Sequence, residues 1–169
     1  MDTSIFVGLG GNLTSAERGP PTAVLTAALE RMARYGVRVV RRSRWYRSAP
    51  VPPSDQPWYT NAVAEVSTEL QPTALLAALH AIEAEFGRTR HRRDEARIID
   101  LDLLAYGREV IGGEGGLVLP HPRLHCRAFV LRPLSELAAE WRHPLSGRTA
   151  SELLAGLREP QIVQPMPDF

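Results

Sequence analysis

The spacing of apolar and polar positions changes several times along the chain, and each change predicts an element. Ser4–Leu9 is apolar and rich in β-formers, and it runs into Gly8-Leu9-Gly10-Gly11-Asn12, which reads as a strand entering a turn. Pro20 and Pro21 suit a helix start, Val24, Leu25, Ala28, Leu29 and Met32 follow at helical spacing, and Gly36 stops the pattern. Val37–Tyr46 reads as a strand with interleaved arginines. Pro50, Pro52, Pro53 and Pro57 make the next stretch, Ser48–Trp58, a loop. Tyr59–Leu70 alternates and predicts another strand. Pro72 opens a second helix, with Leu75, Leu76, Leu79, Ile82 and Phe86 on its inner face. An arginine-dense segment then leads into a strand around Asp100. The order β-α-β-β-α-β places the chain in the α+β class as a ferredoxin-like sheet with helices on one face.

A C-terminal extension follows. Tyr106–Val118 predicts a hairpin or edge strand with a glycine-rich turn. Arg127–Leu134 and Thr149–Leu157 read as short helices, and Thr149 with Glu152 fits a capping box. The tail after Pro160 reads as irregular. With no internal repeat, low-complexity tract or linker, residues 1–169 are expected to form a single domain.

Composition adds little to this and excludes little. The 169 residues are 44% hydrophobic and 23% charged, which is ordinary for a soluble domain with a proper core. The net charge of +1 says nothing about a nucleic-acid partner by itself. All 20 basic residues are arginine. The single cysteine, Cys126, forms no internal disulfide, which fits a reducing cytoplasm. The N-terminus lacks the pattern of a signal peptide, and no apolar run approaches the length of a membrane span.

Candidate chemistry concentrates in three places. Asp100 and Asp102 stand in the otherwise apolar Ile98-Ile99-Asp100-Leu101-Asp102-Leu103-Leu104. Residues two apart on a strand share a face, so both carboxylates point one way and Ile99, Leu101 and Leu103 point the other, into a core. Such a pair suits Mg²⁺, which binds through one or two carboxylates plus substrate phosphates. Two solvated aspartates at a strand end are the plainer alternative. Upstream, Gly87-Arg88-Thr89-Arg90-His91-Arg92-Arg93-Asp94-Glu95-Ala96-Arg97 offers planar donors that match phosphate oxygens, or else a solvated basic loop. Downstream, His121, His125 and Cys126 admit a zinc reading, weakened by the missing fourth ligand, and a more economical one in which His121 and Arg127 contact phosphate. Tyr59 and Asn61, at a strand start, suit stacking and hydrogen bonding to a planar heterocycle, although each alone is more often structural.

Together these segments resemble the 6-hydroxymethyl-7,8-dihydropterin pyrophosphokinase family of folate biosynthesis. The resemblance runs to about Leu134. It is carried by Gly8-Leu9-Gly10-Gly11-Asn12-Leu13, Tyr46-Arg47-Ser48-Ala49-Pro50, Asp55-Gln56-Pro57-x-Tyr59-x-Asn61-Ala62 and Ile82-Glu83-x-x-Phe86-Gly87-Arg88. Arg97-x-x-Asp100-Leu101-Asp102 and Pro120-His121-Pro122-Arg123-x-x-x-Arg127-x-Phe129 complete it. The resemblance implies transfer of the diphosphate of ATP to the hydroxymethyl group of the pterin, with release of AMP. It implies two Mg²⁺ ions on Asp100 and Asp102, with Arg88 and Arg97 as the other catalytic residues. Glu83, Arg88, Arg97, His121 and Arg127 match ATP-binding positions. Ser48, Ala49, Pro50, Val51, Tyr59, Asn61 and Phe129 match pterin-binding positions, with Phe129 stacking on the ring. The implied partners are these small molecules, with neither nucleic acid nor membrane, for a cytoplasmic monomer.

The chain departs from the family in two places. Asp94-Glu95-Ala96 stands where Trp-Gly-Pro is frequent, and Pro122 replaces an aromatic residue of some members. Two other functions compete. A nucleotidyl transferase also places paired aspartates on a strand, but leaves Tyr59, Asn61 and Phe129 unexplained. An RNA-binding module of similar shape needs adjacent strand aromatics, whereas the first strand offers one ring, Phe6.

Overall fold

The computed structural model describes residues 4–87 and 98–167. The first strand, β1 (Ile5–Gly11), is followed by α1 (Pro21–Arg31), β2 (Val37–Arg42), β3 (Tyr46–Ser48), β4 (Tyr59–Thr68), α2 (Pro72–Glu85) and β5 (Asp100–Tyr106). The sheet runs β5-β1-β4-β3, with β2 beside β3 on β4, and every pairing is antiparallel. This is the ferredoxin-like arrangement expected from the element order. Both helices open on a proline at their first position, where the missing N–H costs nothing.

Alternation along the strands divides the core between two faces. Val7, Leu9, Ala62, Ala64, Leu101 and Leu103 pack with Leu25 of α1 and with Leu75, Leu79 and Ile82 of α2. Phe6, Val63 and Leu104 point to the opposite face. There the extension supplies α3 (Ala128–Ala138) and α4 (Ala150–Ala155), whose Val130, Leu131, Leu134 and Leu153 cover them. The two helices of the βαββαβ unit thus share one face, and those of the extension close the other. The hairpin expected after Tyr106 is present as β6 (Ile111–Gly112) and β7 (Val118–Leu119), turning through glycines. The capping box is also present. Thr149 Oγ1 accepts from Glu152 N at 3.0 Å, and Glu152 Oε1 accepts from Thr149 N at 3.1 Å.

Three expectations need correction. The strand read over Val37–Tyr46 is broken, because Ser43 Oγ, in place of a backbone carbonyl, accepts from Val63 N at 3.0 Å and interrupts the regular ladder there. The helix read over Arg127–Leu134 begins at Ala128 and reaches Ala138, carrying Pro133 within it. The tail is not irregular throughout. Val163–Pro165 forms β8, antiparallel to β3, with Ser48 opposite Val163 and Tyr46 opposite Pro165.

Candidate active site

Strand register brings the candidate residues to one end of the sheet. Asp100 stands opposite Gly10, Gly10 opposite Asn61, and Asn61 opposite Tyr46, so one row crosses four strands. Asp102 lies opposite Gly8 in the next row of that face. Directly opposed residues share a face, so both carboxylates point to the side covered by α3, while Leu101 and Leu103 enter the α1–α2 core. The glycines keep this surface low. A Cβ added at Gly10 would stand 3.1 Å from Asn61 Nδ2, closer than side chains ordinarily pack.

A cavity of about 600 Å³ opens over this row. Its polar floor is Asn61, whose Oδ1 accepts from the buried Ser48 hydroxyl at 2.5 Å. Tyr59 and Phe129 supply aromatic surface, and Ala49, Pro50 and Val51 an apolar rim. The proline-rich loop is tied to β1 by the buried Asn12, whose Nδ2 donates to Pro57 O at 3.0 Å and to Gln56 Oε1 at 3.1 Å. Tyr59 donates to that same Gln56 oxygen at 3.3 Å, so the Gly-Gly-Asn turn helps orient the aromatic wall. From the other side, Tyr46 donates to Glu136 Oε1 of α3 at 2.5 Å, locking β3 to the helix that carries Phe129.

The charged end of the cavity holds Asp100, Arg123 and Arg127. Burial lowers the affinity of Arg127 for its proton, and the carboxylates of Asp102 and Asp100 oppose that shift. The Arg127 guanidinium lies 5.2 Å from the Phe129 ring centre, so charge and stacking surface adjoin. His121 lies beside this end. Burial, then the charges of Arg127 and Arg123, push its pKa down to about 4, against the pull of Asp100. Its Nδ1 accepts from Arg123 N at 3.1 Å. The imidazole is therefore neutral near pH 7 and carries its proton on Nε2, as a hydrogen-bond donor without charge.

Glu83 is placed differently from the other ATP-side candidates. It is 2% exposed within α2, and its Oε2 accepts from Leu101 N at 2.8 Å, between the two aspartates of β5. One of its oxygens thus serves the strand that carries them. Arg88 and Arg97, and the divergent Asp94-Glu95-Ala96, lie outside the described residues. The residues that could hold a metal are Asp100 and Asp102. Among the described residues no group of three His, Cys, Asp or Glu side chains gathers around an ion position. The donor set is hard, oxygen-only and incomplete, which fits a cation that completes its shell with phosphate or water oxygens. The absence of such a group also removes the zinc reading of His121, His125 and Cys126 among those residues, and the Cys126 thiol donates to Arg123 O at 3.3 Å.

Several cavity residues escaped the sequence reading: Gly10, Arg123 and the tail segment Glu159, Pro160, Gln161 and Ile162. Arg123 had a signal, since it stands inside the Pro-His-Pro-Arg motif. The tail had none, because its place depends on pairing with β3 across more than a hundred residues.

Known proteins resemble the chain along most of its length. The profile of the family described as 7,8-dihydro-6-hydroxymethylpterin-pyrophosphokinase matches residues 6–139. A 2-amino-4-hydroxy-6-hydroxymethyldihydropteridine pyrophosphokinase of Methylorubrum extorquens is 43% identical over 92% of this chain and 94% of its own. One of the same name from Pseudomonas aeruginosa is 42% identical over 92% of each chain. Among solved structures, Plasmodium falciparum HPPK-DHPS with pteroate superposes with a TM-score of 0.71 at 13% identity, a likeness of fold. The match covers 92% of this chain and 44% of that longer one, so the chain spans under half of its length. A profile match over most of the chain, with relatives this similar over more than nine-tenths of their length, makes the chain a member of the 7,8-dihydro-6-hydroxymethylpterin-pyrophosphokinase family.

Proposed function

We propose that this protein transfers the β,γ-diphosphate of ATP to the hydroxymethyl group of 6-hydroxymethyl-7,8-dihydropterin, releasing AMP, in folate biosynthesis. The observation that carries the reading is the cavity itself. A slot lined by Tyr59, Asn61 and Phe129 runs into a charged end with Asp100 and Arg127, in a chain of this family. A planar heterocycle fits the slot, with its polar edge against the Asn61 amide and its face against Phe129. Ser48, Ala49, Pro50 and Val51 frame the same slot. The substituent to be phosphorylated would then reach toward the carboxylates.

Asp100 and Asp102 would hold two Mg²⁺ ions. When bound, such ions neutralise phosphate charge and align the attacking and leaving oxygens. Arg127 adds a delocalised cation that is poorly hydrated and pre-set by its contact with Phe129. Neutral His121 donates from Nε2 to a phosphate oxygen and leaves the net positive charge of the site to the arginines and ions. Arg88 and Arg97 would complete the phosphate contacts. Glu83, counted with the ATP-side residues, supports the reading through the β5 backbone. Positioning and electrostatic stabilisation account for most catalysis in phosphoryl transfer, and these residues supply both.

No helix among the described residues is long and apolar enough to cross a membrane. We further assign the chain as one pyrophosphokinase domain over 1–169, a cytoplasmic monomer acting on small molecules, without nucleic acid or membrane. The deciding assay incubates the purified chain with ATP, Mg²⁺ and the pterin and measures AMP. AMP formed only in the presence of the pterin is the expected result; ATP turnover indifferent to the pterin would overturn the assignment.

A further inference from the structure

Gln161 lies in the tail, 34 residues beyond Arg127 in the chain, yet its side chain acts on the backbone around Arg127. Its Oε1 accepts from Ala128 N at 2.9 Å, and its Nε2 donates to Cys126 O at 2.9 Å. Arg127 stands between those two residues and is the N-cap of α3. An N-cap side chain normally accepts a hydrogen bond from the first helical turn, but a guanidinium has no acceptor, and Arg127 makes no capping bond. The carboxamide of Gln161 supplies that acceptor from outside the helix, and the same group satisfies the carbonyl just before it. The adjoining tail residues reach elsewhere. Ile162 O accepts from Ala49 N at 3.2 Å in the opposite wall, and Val163 O accepts from Arg132 Nη1 at 2.7 Å. Gln161 and Ile162 both line the cavity.

We infer that Gln161 is a positioning residue for diphosphate transfer. By fixing the backbone on either side of Arg127, it sets where the Arg127 guanidinium and the Phe129 ring stand over the substrates. The residue type follows from the chemistry, since one carboxamide offers the acceptor that Ala128 needs and the donor that Cys126 needs. Glutamate keeps the first bond but turns a second acceptor on the Cys126 carbonyl. Leucine removes both. This inference rests on the function proposed above.

The test uses the full chain with Gln161→Leu and Gln161→Glu, and Gln164→Leu as a control in the same tail. Steady-state constants for ATP and the pterin, Tm, and hydrogen exchange of the Ala128 amide are measured, alone and in an Arg127→Ala background. Gln161→Leu is expected to raise both KM values about tenfold, the equivalent of one lost hydrogen bond. It should speed exchange at Ala128 and add little to the ATP KM once Arg127 is already removed, because coupled residues are non-additive, while the pterin KM, which follows Phe129, still rises. Gln161→Glu, which keeps the acceptor, should fall between. Should Gln161→Leu fail to fold, the KM and exchange readings on Gln161→Glu decide. Wild-type KM values in the Gln161 variants, or a rise in the ATP KM equal to that of Gln164→Leu and undiminished in the Arg127→Ala background, would overturn the inference. Wild-type chain that releases no pterin-dependent AMP would instead remove the function on which it rests.

Discussion

Gly10 shows how little room the site leaves around one atom. Gly10→Ala would put a methyl group 3.1 Å from Asn61 Nδ2, and the amide must turn or withdraw from the bond it shares with Ser48. The expected outcome is a pterin KM raised about tenfold, with a small change in Tm, read from initial rates and a melting curve. Asp100 and Asp102, proposed above to hold the metal ions, make the opposite case, since on that reading they serve chemistry and not packing. Asp100→Ala or Asp102→Ala should lower kcat by roughly 10³-fold or more, while Tm moves by a few degrees at most. Turnover that survives in both variants would sink the assignment of these carboxylates. At this scale the aspartates were legible because two polar residues break an apolar run at the period of a strand. Gln161 was not, because its partners are backbone atoms, which leave no mark on a sequence.

Elements with a local cause were read well, and those with a distant cause were not. Proline at the first position of α1 and α2, and apolar residues every third or fourth position, announce those helices. The break between β2 and β3 depends on a hydroxyl of Ser43 meeting Val63 of a strand 20 residues on, and β8 depends on a partner more than a hundred residues upstream. Helix α4 has its cause within reach of the sequence, in the reciprocal bonds of Thr149 and Glu152. Thr149→Ala should therefore destabilise the protein by about 1 kcal/mol in denaturant titration. Its Michaelis constants should stay unchanged, because α4 packs against α3 and does not line the cavity.

The molecule as a whole registers the burial of His121 in its response to acid. The folded pKa is about 4, below the ordinary value of 6.5, so between those values the unfolded chain binds the extra proton and the folded one does not. Stability therefore falls as pH drops through this window, on the order of 3 kcal/mol from this group alone. The neighbouring charges set the balance, with Arg127 and Arg123 opposing the proton and Asp100 favouring it. His121→Gln, which cannot titrate, should flatten the pH dependence of unfolding free energy between pH 6.5 and 4, measured without nucleotide. The pairing of β8 with β3 reaches beyond the substrate cavity. The outer margin of β2 bears the exposed charges of Arg38, Arg41 and Arg42, which discourage another chain from adding a strand there. The three residues of β3 carry a single exposed charge, Arg47, whose guanidinium lies over the Trp58 ring, and the tail occupies their outer backbone groups. A chain cut after Glu159 would bare that row as a template for intermolecular pairing. It should self-associate with rising concentration in light scattering, so the last few residues protect solubility as well as shape.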